Sequence, residues 1–126
     1  MAEPAHVLIV DDDPRMVALL ERLLMRAGYR VTGVTTIQSA LEALGTLTPD
    51  WVITDLMLPT GDGLDVLTHA RGQQPQARVI VMTAFGSEAT RQRALALGAH
   101  AFLSKPFSSQ ALLHTLANGP PLPDVP

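Results

Sequence analysis

The stretch VLIVDDDPRM, residues 7–16, places four consecutive apolar residues directly before three carboxylates. The apolar run 7–10 predicts a buried strand, and Asp11, Asp12 and Asp13 stand where that strand ends. Neighbouring carboxylates repel one another and lose hydration when they are crowded, so a cation is expected to compensate them. The stretch therefore predicts the first element of a core and a charged site at its edge.

Short apolar runs alternate with helix-period segments along the rest of the chain. Within the first such segment, five apolar residues recur at helical spacing, namely Met16, Leu19, Leu20, Leu23 and Leu24. Gly28 is a suitable residue to end this helix. Asp13, followed by Pro14, is predicted to cap its beginning. The runs predicted as strands are 6–10, 30–34, 51–54, 78–82 and 101–103.

Four further helices are predicted between and after these strands. Thr35 with Gln38 three residues later predicts a capping box at the second helix. The third is expected over about 64–70, the fourth begins at Ser87, and Ser108 caps the fifth. The apolar face of the fifth helix is predicted to comprise Leu112, Leu113 and Leu116, and Ala111 is predicted to lie in the core with Leu112 and Leu116.

Five strand–helix units in succession predict an α/β domain with a parallel sheet covered by helices on both sides. Runs 7–10 and 79–82 are apolar on both faces and are predicted to be central strands. Gly61 and Gly63 are predicted to occupy a loop that needs positive φ.

Composition excludes several classes of protein. A chain of 126 residues is one domain of ordinary size, and its net charge of −3 without a basic cluster argues against nucleic-acid binding. It has no cysteine, no run long enough to span a membrane and no basic signal peptide, so we expect a cytoplasmic protein.

The four histidines show no metal-binding spacing. The proline-rich segment 119–126 is expected to be a tail or the start of a linker.

Polar residues follow the predicted strands where ligands collect in open α/β sheets. The first strand leads to the aspartate triplet, the third to Asp55, the fourth to Thr83 and the fifth to Lys105. Carboxylate oxygens suit Mg²⁺, and a bound cation, an ammonium and a hydroxyl together suit a phosphoryl group. Asp55 is the oxygen nucleophile expected to receive that group.

Four motifs, VLIVDDDPRM, WVITDLMLPTGDGLDVL, VIVMTAFG and AFLSKPF, occur in an order that resembles the response-regulator receiver domains of bacterial two-component systems. The resemblance covers about residues 6–117. It implies a flavodoxin-like, doubly wound (βα)5 three-layer sandwich with strand order 2-1-3-4-5. The receiver domain is expected to span residues 1–118.

The resemblance also assigns a role to each residue that matches a motif. Asp55 matches the phosphoacceptor. Asp11 and Asp12 match the acidic pair, with Asp12 binding Mg²⁺ directly and Asp11 through water. The backbone carbonyl of Met57 is expected to bind the same ion, and Lys105 matches the lysine that pairs with the phosphoryl group.

Two matched residues are implied to transmit the signal. Thr83 matches the switch hydroxyl, next to the small Ala84, and Phe102 matches the aromatic residue that rotates inward on activation. The bond between Lys105 and Pro106 is expected to be cis, as in the family.

The resemblance implies a non-enzymatic switch that catalyses only its own phosphorylation and dephosphorylation. A sensor histidine kinase or a histidine phosphotransfer protein is the expected donor, and an output domain or partner is the expected target. A phosphorylation-dependent homodimer is left open. Met57 and Phe85 are predicted to flank the site and to slow hydrolysis of the acyl phosphate by hindering water.

Two alternatives compete with the interpretation of the chain as a phosphorylation switch. Phosphohydrolases of the haloacid-dehalogenase type also form a phospho-aspartate with Mg²⁺ and a lysine, but they carry a second aspartate two residues after the nucleophile. This chain has Met57 at that position. A scaffold that signals by binding alone is disfavoured because every site residue is present.

Overall fold

The computed structural model describes residues 4–58, 61–84 and 86–118. Five strands and five helices alternate along these residues. The strands are β1 His6–Val10, β2 Arg30–Val34, β3 Trp51–Asp55, β4 Arg78–Thr83 and β5 Ala101–Ser104. The helices are α1 Pro14–Arg26, α2 Ile37–Thr46, α3 Gly63–Gln73, α4 Glu88–Ala96 and α5 Ser109–Asn118. Among these residues, no helix combines the length and apolar character needed to cross a membrane.

The five strands form one parallel sheet in the order β2-β1-β3-β4-β5. This confirms the predicted flavodoxin-like α/β fold and its strand order. Runs 7–10 and 79–82 lie in the interior strands β1 and β4 and are fully buried, as predicted. Between them lies β3, whose five residues are all buried as well. A short antiparallel ladder pairs Met57–Leu58 with Gly61–Asp62.

Alternate residues of each interior strand supply two separate cores, one on each face of the sheet. In β1, Val7 and Ile9 pack in the cluster that includes apolar residues of α1 and α5. Leu8 and Val10 belong to the opposite cluster, with residues of α2, α3 and α4. Successive side chains of a strand point to opposite faces, so β1 is apolar on both sides because both sides are covered.

The ends of α1 follow the predicted chemistry. The Asp13 side chain accepts a hydrogen bond from the backbone N–H of Arg15 at 2.9 Å, and Pro14 occupies the first turn. Gly28 follows the helix with φ of +97°, in the left-handed region that favours glycine. The caps predicted for α4 and α5 at Ser87 and Ser108 are also present.

Two local predictions were wrong, and one helix end agrees with its prediction. The cap of α2 is Thr36, which accepts from the N–H of Ser39, and not Thr35 with Gln38. Helix α3 ends at Gln73, within the segment RGQQP (71–75) that was predicted to end it. Ala111 is exposed, whereas Leu112 and Leu116 are buried and Leu113 is half-buried.

His100 connects α4 to β5 and completes the hydrogen bonding of β4. Its backbone N–H donates to the Val79 carbonyl at 2.7 Å, and its Nδ1 accepts from the Val79 N–H at 3.2 Å. Burial and the positive charges of Arg71 and Arg78 lower the pKa of His100. The neutral imidazole is therefore the form that fits, because a protonated Nδ1 cannot accept a hydrogen bond.

Replacing His100 by asparagine is expected to flatten the pH dependence of the unfolding free energy below neutral pH. The pKa of His100 lies below its ordinary value of 6.5 in the folded protein. Its neutral form thus stabilises the fold above about pH 6.5, and this contribution is lost as the pH falls through the folded pKa. Asparagine can accept the same N–H without titrating, so the slope decreases by up to roughly 1.4 kcal/mol per pH unit.

Urea unfolding at several pH values, followed by fluorescence of the single tryptophan, Trp51, measures that slope. Part of the slope remains in the variant, because burial and Arg30 lower the pKa of His6 as well. His114→Asn, at an exposed position of α5, controls for the loss of an imidazole. An unchanged slope in His100→Asn contradicts the prediction.

Candidate functional site

The residues predicted to form a site meet at the carboxyl edge of the sheet. Asp11 directly follows β1 and Lys105 directly follows β5, while Asp55 and Thr83 are the last residues of β3 and β4. Both strands are thus one residue longer than predicted, and their last side chains face the site from regular backbone. Because all five strands are parallel, these four ends lie at one edge.

Lys105 bridges two carboxylates from different strands. Its Nζ lies 2.8 Å from Oδ2 of Asp11 and 3.0 Å from Oδ2 of Asp55. Burial by itself lowers the pKa of Lys105, but the two ion pairs outweigh burial and raise the pKa above its ordinary value. The lysine therefore stays protonated and supplies the cation that the crowded carboxylates of the opening stretch require.

A third carboxylate completes an acidic cluster. Asp11, Asp12 and Asp55 each offer one oxygen, and these oxygens all lie within 4.8 Å of one another. Partial loss of hydration and the negative charge of Asp11 raise the pKa of Asp12, which is itself exposed. Three converging carboxylate oxygens with one open to solvent suit a hard divalent cation such as Mg²⁺, which keeps several waters when bound.

Asp55 is held at both carboxylate oxygens and opens to a cleft. Its Oδ1 accepts from the backbone N–H of Met57 at 3.1 Å, while Oδ2 faces Lys105. The cleft has a volume of about 230 Å³ and is also lined by Asp12, Thr83 and Ala84. The Met57 side chain lies at its rim and is 57% exposed. Met57 therefore presents an apolar side chain to solvent beside Asp55.

Gly63 supports the site in a way that the sequence did not predict. A Cβ on Gly63 would collide with the backbone carbonyl oxygen of Asp55. The φ of Gly63 is not positive, so the predicted reason for this glycine was wrong. Gly63 is needed for the close approach of α3 to the end of β3, and no local pattern signals such a contact.

The predicted signalling residues lie on neighbouring strands. Thr83 is fully buried, and Phe102 is half-buried and packs against the core on the α2–α4 side of the sheet. The Lys105–Pro106 bond is cis, as the resemblance implies. Phe85, predicted to flank the site, lies outside the described residues.

The fold and the site together define a class of protein. It is a doubly wound α/β domain with an acidic cluster, a bridging lysine and a buried hydroxyl at the carboxyl edge of its sheet. The family model of the response regulator receiver domain matches residues 7–117. The chain belongs to this family, whose members are the signalling switches of two-component systems.

Similar proteins come from several bacteria. The photosynthetic apparatus regulatory protein RegA of Rhodobacter capsulatus is 32% identical over 121 residues, which cover 95% of this chain and 66% of RegA. The chain thus spans slightly less than two thirds of that relative's length. A response regulator protein from Burkholderia pseudomallei, solved with a phosphorylated aspartic acid, a calcium ion and citrate, has a TM-score of 0.85 and 31% identity, with coverage of 89% and 66%. The chemotaxis response regulator CheY4 of Vibrio cholerae has a TM-score of 0.84 and 29% identity, with coverage of 92% and 98%.

Proposed function

We propose that this receiver domain accepts a phosphoryl group on Asp55 and switches conformation in response. The observation that carries the proposal is the position of Lys105, whose Nζ bridges Asp11 and Asp55 beside a solvent-open cleft. A phosphoryl group on Asp55 adds negative charge within reach of this ammonium. A phosphorylated aspartic acid in the similar Burkholderia protein supports the same chemistry here.

The transfer uses groups already held in place. An oxygen of the Asp55 carboxylate attacks phosphorus, and the bond between phosphorus and the donor nitrogen breaks with its electron pair left on the donor imidazole. The backbone N–H of Met57 and the Lys105 ammonium fix the Asp55 carboxylate before the attack. This fixed geometry contributes by positioning, which is the main source of catalysis in phosphoryl transfer.

Asp11, Asp12, Asp55 and the Met57 carbonyl would hold Mg²⁺, with Asp12 as a direct ligand and Asp11 acting through water. When bound, the ion neutralises charge on the transferring oxygens. The clustering of the three carboxylates supports this assignment. Lys105 forms ion pairs with Asp11 and Asp55. Neither of these two ion pairs includes Asp12, the third carboxylate of the cluster.

Phosphorylation is proposed to act on Thr83 and Phe102. The Thr83 hydroxyl moves toward the phosphoryl group, and the Phe102 ring turns into the space released. Because Phe102 lies on β5 between α4 and α5, its movement changes the face formed by these three elements. The phosphoryl group can shift the equilibrium between the inactive and active conformations only by the difference in its interaction free energy with the two.

The proposed donor is a sensor histidine kinase or a histidine phosphotransfer protein, and the target is an output domain or separate partner. Residues 1–118 are proposed as the receiver domain and 119–126 as a tail or the start of a linker. Residues 119–126 lie outside the described part of the chain. The phosphohydrolase alternative is not favoured, since position 57 carries no carboxylate and the family model is that of a receiver.

Incubation with acetyl phosphate and Mg²⁺, followed by intact-mass and peptide mapping, tests the proposal. We expect one phosphoryl group per chain on Asp55, and none on Asp55→Asn. Asp65→Asn, an exposed carboxylate on α3, is the matched control and should label as the wild type does. Labelling at another residue contradicts the assignment of Asp55, and sustained turnover of phosphate esters favours a phosphohydrolase.

Met57→Asn is expected to shorten the lifetime of the acyl phosphate by up to about tenfold, equivalent to roughly 1.4 kcal/mol in the hydrolysis barrier. Met57 stands at the rim of the cleft with 57% of its surface exposed, where an apolar side chain hinders an in-line water. Asparagine is shorter and can hydrogen-bond that water. Release of phosphate from purified phosphoprotein measures the lifetime.

Met25→Asn provides the control for this measurement. Met25 is similarly exposed, at 63%, but lies on the outer face of α1. Its substitution should leave the lifetime unchanged. Equal lifetimes for Met57→Asn and wild type rule out a role for Met57 in excluding water.

A further inference from the structure

Gly86 lies in the connection between β4 and α4, beside both side chains of the proposed switch. A Cβ on Gly86 would stand 2.7 Å from Cζ of Phe102 and 2.8 Å from Cγ2 of Thr83. Carbon atoms in contact normally stay about 3.5–4.0 Å apart, so a side chain fits there only if a neighbour moves. Phe102 of β5 and Thr83 of β4 therefore both lie next to the position that a side chain of residue 86 would occupy.

The two neighbours of Gly86 differ in how far they can move. Thr83 is fully buried in β4, whereas Phe102 is half-buried at the sheet edge. The Phe102 ring is consequently the group that can move away.

We propose that Gly86 is a positioning residue of the switch, because its missing side chain leaves room for the Phe102 ring beside Thr83. The inference rests on the proposed function, in which Phe102 and Thr83 respond to phosphorylation of Asp55. A side chain at position 86 displaces the ring, so residue 86 then sets the position of the ring whatever the state of Asp55. A contact present in only one of two conformations shifts their populations.

Ring resonances of phenylalanine report this displacement directly. The chain has three phenylalanines, so protein labelled with ring-¹³C phenylalanine gives few signals, and Phe102→Leu assigns the one of interest. In the wild type, beryllofluoride with Mg²⁺ should shift the Phe102 signal. In Gly86→Ala the signal should be displaced before beryllofluoride is added and should change less afterwards. Gly72→Ala on α3, where a Cβ meets nothing within 4 Å, should respond as the wild type does.

A double-mutant cycle tests the contact separately from signalling. Gly86→Ala is expected to lower the melting temperature by roughly 3–8 °C more in the wild-type background than in the Phe102→Ala background, where the ring is gone. Equal effects in both backgrounds would overturn the contact and with it the inference. This comparison needs no phosphorylation.

The two measurements separate failure of this inference from failure of the proposed function. If beryllofluoride does not shift the wild-type Phe102 signal, Phe102 does not act in the switch, and the inference about Gly86 is refuted as well. If the wild type responds and Gly86→Ala responds equally, only the role of Gly86 is refuted. A reduced response in Gly86→Ala together with coupling to Phe102 supports the proposal.

Discussion

Asp12→Ala is expected to abolish Mg²⁺-dependent labelling of Asp55, whereas Asp13→Ser, one residue further on, leaves it intact. Asp12 is the exposed member of the acidic cluster and is proposed to bind the ion directly. Without it, the site loses one of its three carboxylates, and affinity for a hard cation depends on the number of charged ligands. We expect a loss of at least about 100-fold in labelling rate, because losing a residue that only supports a metal ligand already costs about 10–100-fold.

Asp13 has the same side chain as Asp12, but its role is to cap helix α1. Its Oδ1 accepts hydrogen bonds from the backbone N–H and the side chain of Arg15. These hydrogen bonds lower the pKa of Asp13, and the carboxylate is committed to the start of α1. Serine is an equally good capping residue, so Asp13→Ser keeps the helix and removes only a charge outside the cluster.

Initial rates of labelling with acetyl phosphate over a Mg²⁺ titration distinguish the two variants. Asp12→Ala should require far more Mg²⁺ or fail to label, while its unfolding midpoint without Mg²⁺ stays at or above that of the wild type, because a repulsive carboxylate is removed. If Asp13→Ser loses labelling as severely as Asp12→Ala, the division of the triplet into site and cap is wrong.

Local chemistry and one topological rule predicted a parallel sheet and the meeting of polar residues at its carboxyl edge, whereas the strand order and the role of each site residue came from the resemblance to receiver domains. Alternation in β1 sends Val7 and Leu8 to opposite cores, and the cap at Asp13 depends only on residues next to it in sequence. The convergence of Asp55 and Lys105 follows from the parallel order of the strands, because parallel strands end at a common edge. Both kinds of inference use information contained in short segments.

Features that depend on contacts between segments could not be predicted in the same way. Gly63 is required by the carbonyl of Asp55, a contact made when α3 packs against β3. Thr35 and Thr36 are equally good caps by residue type, and the structure uses Thr36. Ala111 is adjacent in sequence to the buried Leu112, but one residue rotates a helix by about 100°, which places Ala111 on the exposed side.

Lys105→Met is expected to lower the unfolding free energy by about 3 kcal/mol, since removing one partner of a buried ion pair leaves charge uncompensated. The Lys105 side chain is 17% exposed and its partner Asp11 only 1%. Methionine keeps most of the aliphatic length, so the loss reports charge and not packing. The cost stays near the lower end of the range for buried pairs because the cleft beside Asp55 opens to solvent.

Added Mg²⁺ should restore part of that stability, and more in Lys105→Met than in the wild type. Without the ammonium, a bound cation is the remaining means of neutralising Asp11 and Asp55, and a ligand that binds only the folded state stabilises it. Urea unfolding with and without Mg²⁺, followed by Trp51 fluorescence, measures both effects. Arg15→Met removes an ion pair whose arginine side chain is 92% exposed, and it should change little in either condition. If Mg²⁺ stabilises Lys105→Met no more than wild type, Lys105 does not substitute for the cation at this site.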